Sequence, residues 1–535
     1  MLEPPRKLAH GHPQEREGCA RLPARRAVAC GVRLRRGEGR LLLLLLIAYG
    51  WLFVFFERLN NPNEMVRVYA ARALAEQDTW KIGTRELQPG RFLDRGPVYS
   101  DWGYVNDKAL TCDDPRAQPP ACAGRLFAAK APAASLLGAP VLAAMRIFGP
   151  LKKTPAVLAL RWICVILPSV AFWILLRRWM LDSGVPETAT LACTLAGALG
   201  SLSLTYGQMF AGHQMAALAL GAAFLCAFWG DFRPSWCGFF CALAVALEYP
   251  SAPAAGIVAA AALLRHRRGA LRLLAGTIPW ALVLAQFHWS AFGAPWSTPY
   301  SHLENPGFVR DIAPGFMGIS PPTWERVYGS LFSPWLGLFF WAPWTALALL
   351  APRWLRRFDL VPFLAVAYFL LFQITHSLWR SGWVIGPRYI TPLVPFAAMS
   401  VALLLREAPR LLPIALGLAA AGIATTGLAS AVSQGFPPEV QNPLREVVWP
   451  LLSHGYIPPN LLQLLGIPGL WSALPHFAAL ATAIILLLRR SLLALAIAAL
   501  VIAAQWSAPS TPDLSAARFL AEQWQPNPPP GAHRF

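Results

Sequence analysis

The chain reads as a long alternation of apolar runs and short polar connections. Runs of roughly 16–22 apolar residues recur from Leu41 to Trp506, each enough to cross ~30 Å of hydrocarbon. In lipid a backbone must satisfy its own hydrogen bonds, so such runs are helices. The pattern predicts spans near 41–57, 156–176, 188–206, 209–229, 235–249, 252–264, 271–289, 334–350, 358–376, 391–405, 411–430, 470–488 and 491–507. The expected fold class is an all-α polytopic membrane protein of about 13 transmembrane helices.

The long polar interruption at 58–155 breaks this rhythm. It opens on Pro62 to Gln77, where Val66, Tyr69, Ala70, Ala73 and Leu74 recur at helical spacing. One apolar face of this kind predicts a juxtamembrane helix lying along the bilayer surface. The loop closes on Pro132–Phe148, which is apolar enough to be either a span or a second juxtamembrane helix. Basic clusters decide between the two. Arg177-Arg178, Arg265 to Arg268, Arg353 to Arg357, Arg406 to Arg410 and Arg489-Arg490 all fall on one side only if Pro132–Phe148 does not cross. Lysine and arginine mark the cytoplasmic side. The N-terminus is then inside, and the C-terminus and the loops at 58–155, 290–334, 376–390 and 433–469 are outside.

Composition agrees with this class: 56% of residues are hydrophobic, 14% are charged, and mean hydropathy is +0.44. The net charge of +19 does not imply nucleic acid, because the basic residues flank apolar runs and no nucleic-acid motif accompanies them. Residues 1–40 read as a basic, disordered cytoplasmic arm. A catalytic membrane core is expected at 41–430, C-terminal helices with an outer loop at 431–507, and an extracytoplasmic tail at 508–535.

Candidate chemistry gathers on the outer face. In Asn61-Pro62-Asn63-Glu64, Asn61 can cap the helix with Pro62 at its first position and Glu64 completing a capping box. Glu64 is also the first candidate for a general base, because a helix N-terminus keeps a carboxylate ionised. Lys130 precedes the second apolar stretch and is placed to bind a lipid phosphate. Arg388 and Tyr389 end Trp379-Arg380-Ser381-Gly382-Trp383-Val384-Ile385-Gly386-Pro387-Arg388-Tyr389. A guanidinium beside a membrane with no acid near it in sequence suits a phosphate. His213 joins two spans on this face, and Glu248 in Glu248-Tyr249-Pro250 adds a carboxylate. Asp101 and Asp107 are secondary candidate acids. Asp113-Asp114 could hold a divalent cation only weakly. Cys112 and Cys122 bracket a short Pro-containing stretch in an outer loop, where a disulfide is expected.

Taken in order, these motifs resemble the GT-C membrane glycosyltransferases. These are Asn63-Glu64 after the first span, Gly124 to Lys130-Ala131-Pro132 at the loop's end, Gly212-His213, Glu248-Tyr249-Pro250, and Trp383-Val384-Ile385-Gly386-Pro387-Arg388-Tyr389. The likeness is to the bacterial branch related to protein O-mannosyltransferases and lipid A aminoarabinose transferases. It implies a GT-C-like fold in the cell (inner) membrane and sugar transfer from a polyprenyl-phosphate donor, with inversion. Acceptors would be a lipid, a glycan or a protein, no cofactor would be required, and membrane lipids would be the surroundings. The chain departs from that pattern where Asn63 stands in place of an acid and Ala133 in place of a glycine. A non-catalytic membrane protein and a lipid-sugar transporter or flippase are the alternatives.

Overall fold

The computed structural model describes residue 35 and residues 37–55, 60–315 and 317–524. The basic arm expected at 1–40 and the end of the tail lie largely outside these. Most of the described chain is helical. Five helices are long and apolar enough to cross a membrane: Lys153–Asp182, Ala270–Phe292, Arg357–Thr375, Pro409–Val432 and Gly469–Leu488. Shorter apolar helices accompany them, including Gly212–Phe228, Pro234–Leu247 and Leu492–Ser507. Along Ala270–Phe292 the exposed residues Leu271, Leu274, Ile278, Leu282 and Trp289 form one stripe. Their three- and four-residue spacing marks a face turned to lipid rather than to protein.

Several expected spans are broken. The first helix, α1 (Glu38–Gly50), ends early. The chain then runs extended, and Phe53 donates its N–H to the Pro459 carbonyl at 2.8 Å. The stretch expected to span at 334–350 divides into a short helix, Leu338–Trp341, and a 3-10 segment, Pro343–Leu350. Pro343 has no N–H to continue the ladder, so the break falls there.

The long first loop is not all helical. It begins with α2 (Pro62–Gln77) and continues into strands β1 (Gly83–Gln88), β2 (Arg91–Arg95), β3 (Lys108–Cys112) and β4 (Gly124–Ala128). They form one antiparallel sheet in the order β2-β1-β4-β3. The all-α expectation is corrected here. The strands are only five or six residues long and sit among turn residues, so no long apolar period announces them. Cys112 and Cys122 are bonded across the β3–β4 connection. Helix α3 (Ala133–Arg146) follows. At 14 residues it is about 21 Å long, shorter than the hydrocarbon core.

Helix α2 also departs from expectation. Every residue from Asn63 to Ala73 is buried, so it has no free polar face. It lies between α3, β4 and the span ends, and Ser135 of α3 donates to the Arg67 carbonyl at 3.0 Å. A buried network fastens the sheet to the loop after Ala270–Phe292. Arg85 holds both Asp94 and Glu304, and Lys108 holds Asp94. The Glu304 N–H donates to the Lys108 carbonyl at 3.0 Å. In the C-terminal segment a helix, Ser515–Trp524, packs Ala517, Leu520 and Ala521 into the apolar cluster around Trp335, Trp341 and Phe436.

Candidate functional site

Above the helix ends, α2, the β-sheet loop and the connections between spans enclose a cavity of about 680 Å³. Six of the candidate site residues named from the sequence line it: Asp107, Lys130, His213, Glu248, Arg388 and Tyr389. They come from four separate stretches of chain, so only the fold unites them.

Local sequence explains each placement. Asp107 immediately precedes β3, and its carbonyl accepts from Ala129 N at 3.0 Å. That bond draws the end of β4 alongside and puts Lys130 next to Asp107, Nζ to Oδ2 3.1 Å. Gly386 has φ +66°, which a side chain disfavours. The reversal it permits brings Pro387 and the 3-10 turn Arg388–Ile390 back toward the cavity. Helix Gly212–Phe228 begins at the cavity. A Cβ at Gly212 would collide with the Glu248 carboxylate and the Leu247 carbonyl, so glycine is what lets His213 approach Glu248.

The charges form one connected group. Glu248 Oε1 accepts from Arg67 Nη2 at 2.5 Å and lies 3.3 Å from His213 Nδ1. Arg67 also donates through Nη1 to Asn63, at 2.6 Å to Oδ1 and 2.7 Å to the carbonyl. Burial would push the Asp107 carboxyl up. The Lys130 and Arg388 charges and the Lys130 hydrogen bond outweigh it and hold the group below the usual carboxylate range. Burial works against the Arg388 charge, but Tyr389, Tyr206 and Asp107 leave its pKa raised. Arg388 Nε is buried and has no hydrogen-bond partner among the described residues. No ion pair ties Arg388 within 4.0 Å among them either. Lys130 and Arg67 each have a carboxylate partner, so Arg388 is the unmatched cation of the group.

Glu64 stands apart from this group. It is 1% exposed and does not line the cavity. Its carboxylate takes three donors: Arg161 Nε at 2.7 Å, Arg161 Nη2 at 2.6 Å and Phe210 N at 2.7 Å. Both oxygens are engaged and buried away from the cavity. The helix start is as the sequence suggests, with Asn61 Oδ1 accepting from Glu64 N at 3.4 Å, but the Glu64 side chain does not complete a capping box. It clamps α2 to the helix that carries Arg161. Asp101 is likewise outside the cavity, exposed and 3.1 Å from Arg72 Nη1. Asp113 and Asp114 are exposed in a turn, where Asp114 accepts from Arg116 N.

Asn63 and Trp383, members of the motifs above, also line the cavity. Asn106 and Gln434, which the sequence did not single out, line it too, and Arg67 supports it from behind. Arg67 was legible in one respect. It stands four residues after Asn63, on the same face of a helix.

No protein-family model matches the chain, and no curated protein matches its sequence. Among solved structures, ArnT from Cupriavidus metallidurans bound to undecaprenyl phosphate aligns with 91% of this chain and 76% of its own. The sequence identity is 14% and the TM-score 0.44. ArnT from the same organism in the apo state aligns over the same shares at 15% identity and a TM-score of 0.43.

Proposed function

We propose that this protein is a membrane glycosyltransferase that takes a sugar from a polyprenyl-phosphate donor at the outer face of the cytoplasmic membrane. One observation carries the reading: a single cavity gathers Asp107, Lys130, His213, Glu248 and Arg388, and leaves Arg388 without an anion. A cavity cation held unpaired is costly unless a substrate anion completes it. A guanidinium flanked by an aromatic ring suits a phosphate. The ordered motifs that resemble GT-C enzymes support the same reading. So does the expected topology of about 13 spans, with the N-terminus inside.

Asp107 takes the role first considered for Glu64. In the proposed step an acceptor hydroxyl of a lipid, glycan or protein attacks the anomeric carbon from the face opposite the phosphate. The new C–O bond forms as the bond to the phosphate oxygen breaks, and configuration inverts. The hydroxyl proton passes to Asp107, which is held ionised for that purpose. The electron pair leaves on the polyprenyl phosphate, where Arg388 and Lys130 meet the growing charge. A phosphate leaves without an acid at neutral pH, so the scheme requires no metal and no second carboxylate. Glu248 has a supporting part, fixing Arg67 and His213.

Transfer from a labelled polyprenyl-phosphate sugar to lipid, glycan and peptide acceptors, with purified protein in proteoliposomes, tests the reading. Arg388→Ala should lower the rate on the order of 10²–10³-fold at unchanged protein level. Undiminished transfer by this variant, or none by the parent protein to any acceptor class, refutes the proposal.

A further inference from the structure

We infer that the C-terminal helix Ser515–Trp524 belongs to the substrate site: its Phe519 is a positioning residue that sets the ring of Trp383 on the cavity wall. The inference rests on the glycosyltransferase reading and adds a residue more than a hundred positions beyond the motifs that line the cavity.

Two short segments make one side of the cavity. The first carries Ser381, Gly382 and Trp383 and leads on to Arg388, and the second carries Ser433, Gln434 and Gly435. An isolated antiparallel pair joins them: Val384 N donates to the Phe436 carbonyl at 3.3 Å, and Phe436 N donates to the Val384 carbonyl at 3.1 Å. Local preference does not explain the shape of either segment. Ser381 has φ +59°, a backbone state that a residue with a side chain keeps only when its surroundings impose it. Gly435 lies so close to the Trp383 backbone that a Cβ would collide with it. The form of this wall is therefore set by what packs behind it.

The C-terminal segment is what packs there. Val384, Ile385 and Phe436 share a buried apolar cluster with Ala517, Leu520 and Ala521, whose spacing puts those three on one face of the helix. The approach to the helix is tied down as well. The buried Glu446 carboxylate accepts through Oε1 from Asn442 N at 2.9 Å and Thr511 N at 2.8 Å. Asn442 Nδ2 donates to the carbonyls of Gln505 at 3.1 Å and Ala508 at 3.2 Å. A segment fastened at these three points brings Phe519 to Trp383, with ring centroids 5.8 Å apart and planes at 71°, the edge-to-face geometry that aromatic pairs favour. Trp383 lines the cavity and stays 37% exposed, so Phe519 steadies the ring without covering it. An indole held in this way offers an apolar surface to the C–H groups of a sugar or of the first isoprene units. Without Phe519 the ring regains freedom that substrate binding must then remove.

The test is a double-mutant cycle read as equilibrium binding of labelled polyprenyl phosphate, and of polyprenyl-phosphate hexose, to the purified full chain in detergent. Phe519→Ala should weaken binding about threefold to tenfold, the weight of one aromatic pair, and Trp383→Ala by at least as much. In the Trp383→Ala background Phe519→Ala should change nothing further, because no ring is left to position. Phe519→Tyr keeps the aromatic edge and should bind as the parent does. A loss confined to the hexose form puts Trp383 against the sugar, and a loss in both forms puts it against the carrier. Unchanged binding by a folded Phe519→Ala protein overturns the inference, whatever its melting temperature. So does an equal loss with and without Trp383, which would make the helix a general brace. If the parent binds neither ligand, the glycosyltransferase reading fails and takes this inference with it. Binding by the parent without coupling between the two positions removes this inference alone.

Discussion

Two carboxylates of the long first loop, Glu64 and Asp107, lie beside basic groups, and they differ in what is left over. Glu64 and Arg161 form a closed unit: three donors fill the carboxylate, and the remaining guanidinium nitrogen donates to the Val54 carbonyl at 3.1 Å. Around Asp107 the unit stays open. Lys130 matches Asp107, Arg388 has no ion-pair partner among the described residues, and all three line the cavity. The first arrangement holds helices together and the second waits for a ligand. A carboxylate near a membrane surface is thus no sign of catalysis by itself. What decides is whether its neighbours already use it.

The sharpest way to break the comparison is to remove each carboxylate. Asp107→Asn keeps the shape of the loop and deletes the proton acceptor. Transfer should fall on the order of 10²–10⁴-fold, with the folded protein recovered at its usual level. Glu64→Ala should act in the other currency. It leaves Arg161 buried without its partner, a loss of about 3–5 kcal/mol that lowers the yield and the melting temperature in detergent. Any Glu64→Ala protein that does fold should retain much of its rate per molecule. If Asp107→Asn only destabilised while Glu64→Ala only slowed transfer, the two roles would have to be exchanged.

The same contrast explains how much could be seen in the sequence. Apolar runs of membrane length are locally encoded, so the helical class was legible. Lys130, His213, Glu248, Arg388 and Tyr389 each stand in a short motif beside a span end, and the fold gathers them at one cavity. The partner that Glu64 takes is far along the chain. Arg161 lies 97 residues away, and nothing local marks it as reserved for Glu64. Arg67 and Glu248 pair across 181 residues. The sheet was missed for a related reason. β1 pairs with β4, not only with its neighbour β2, and strands this short carry little period of their own. The breaks after Gly50 and at Ala342-Pro343 follow from tertiary bonds and a proline within stretches whose hydropathy reads as continuous.

The disulfide sharpens the comparison from the side of the loop. Cys112 ends β3, whose other end follows Asp107, and Cys122 lies just before β4, which leads to Lys130. The bond therefore holds together the two strands that bring Asp107 and Lys130 into register. Replacing both cysteines by serine should remove about 2–3 kcal/mol of stability for so short a loop. Reduced and oxidised parent protein, compared by thermal melting in detergent, should differ in the same direction. An unchanged melt on reduction would mean that the sheet is held by Arg85, Asp94 and Lys108 without help from the sulfurs.

The smallest expected effect concerns the proton. The Asp107 pKa is depressed, so the carboxylate is charged above its folded value and is lost as base only when pH falls through that value. Any stability from this pairing has the same sign: it is present above the unfolded pKa and disappears as pH falls through the folded one. The acid limb of the transfer rate should therefore lie below the ordinary value of 3.8, leaving the profile flat through mild acid. Lys130→Met removes the largest charge that opposes burial at Asp107. Its acid limb should move upward, since that neighbouring cation is the first of the charges that lower the carboxylate. The same replacement at Arg388 should move the limb less, because its effect on Asp107 ranks behind that of Lys130. A pH–rate series on the parent and the two variants measures this directly. A parent limb near neutral pH, unmoved by Lys130→Met, would take the proton away from Asp107 and give it to another group in the cavity, with Glu248 the next carboxylate in reach.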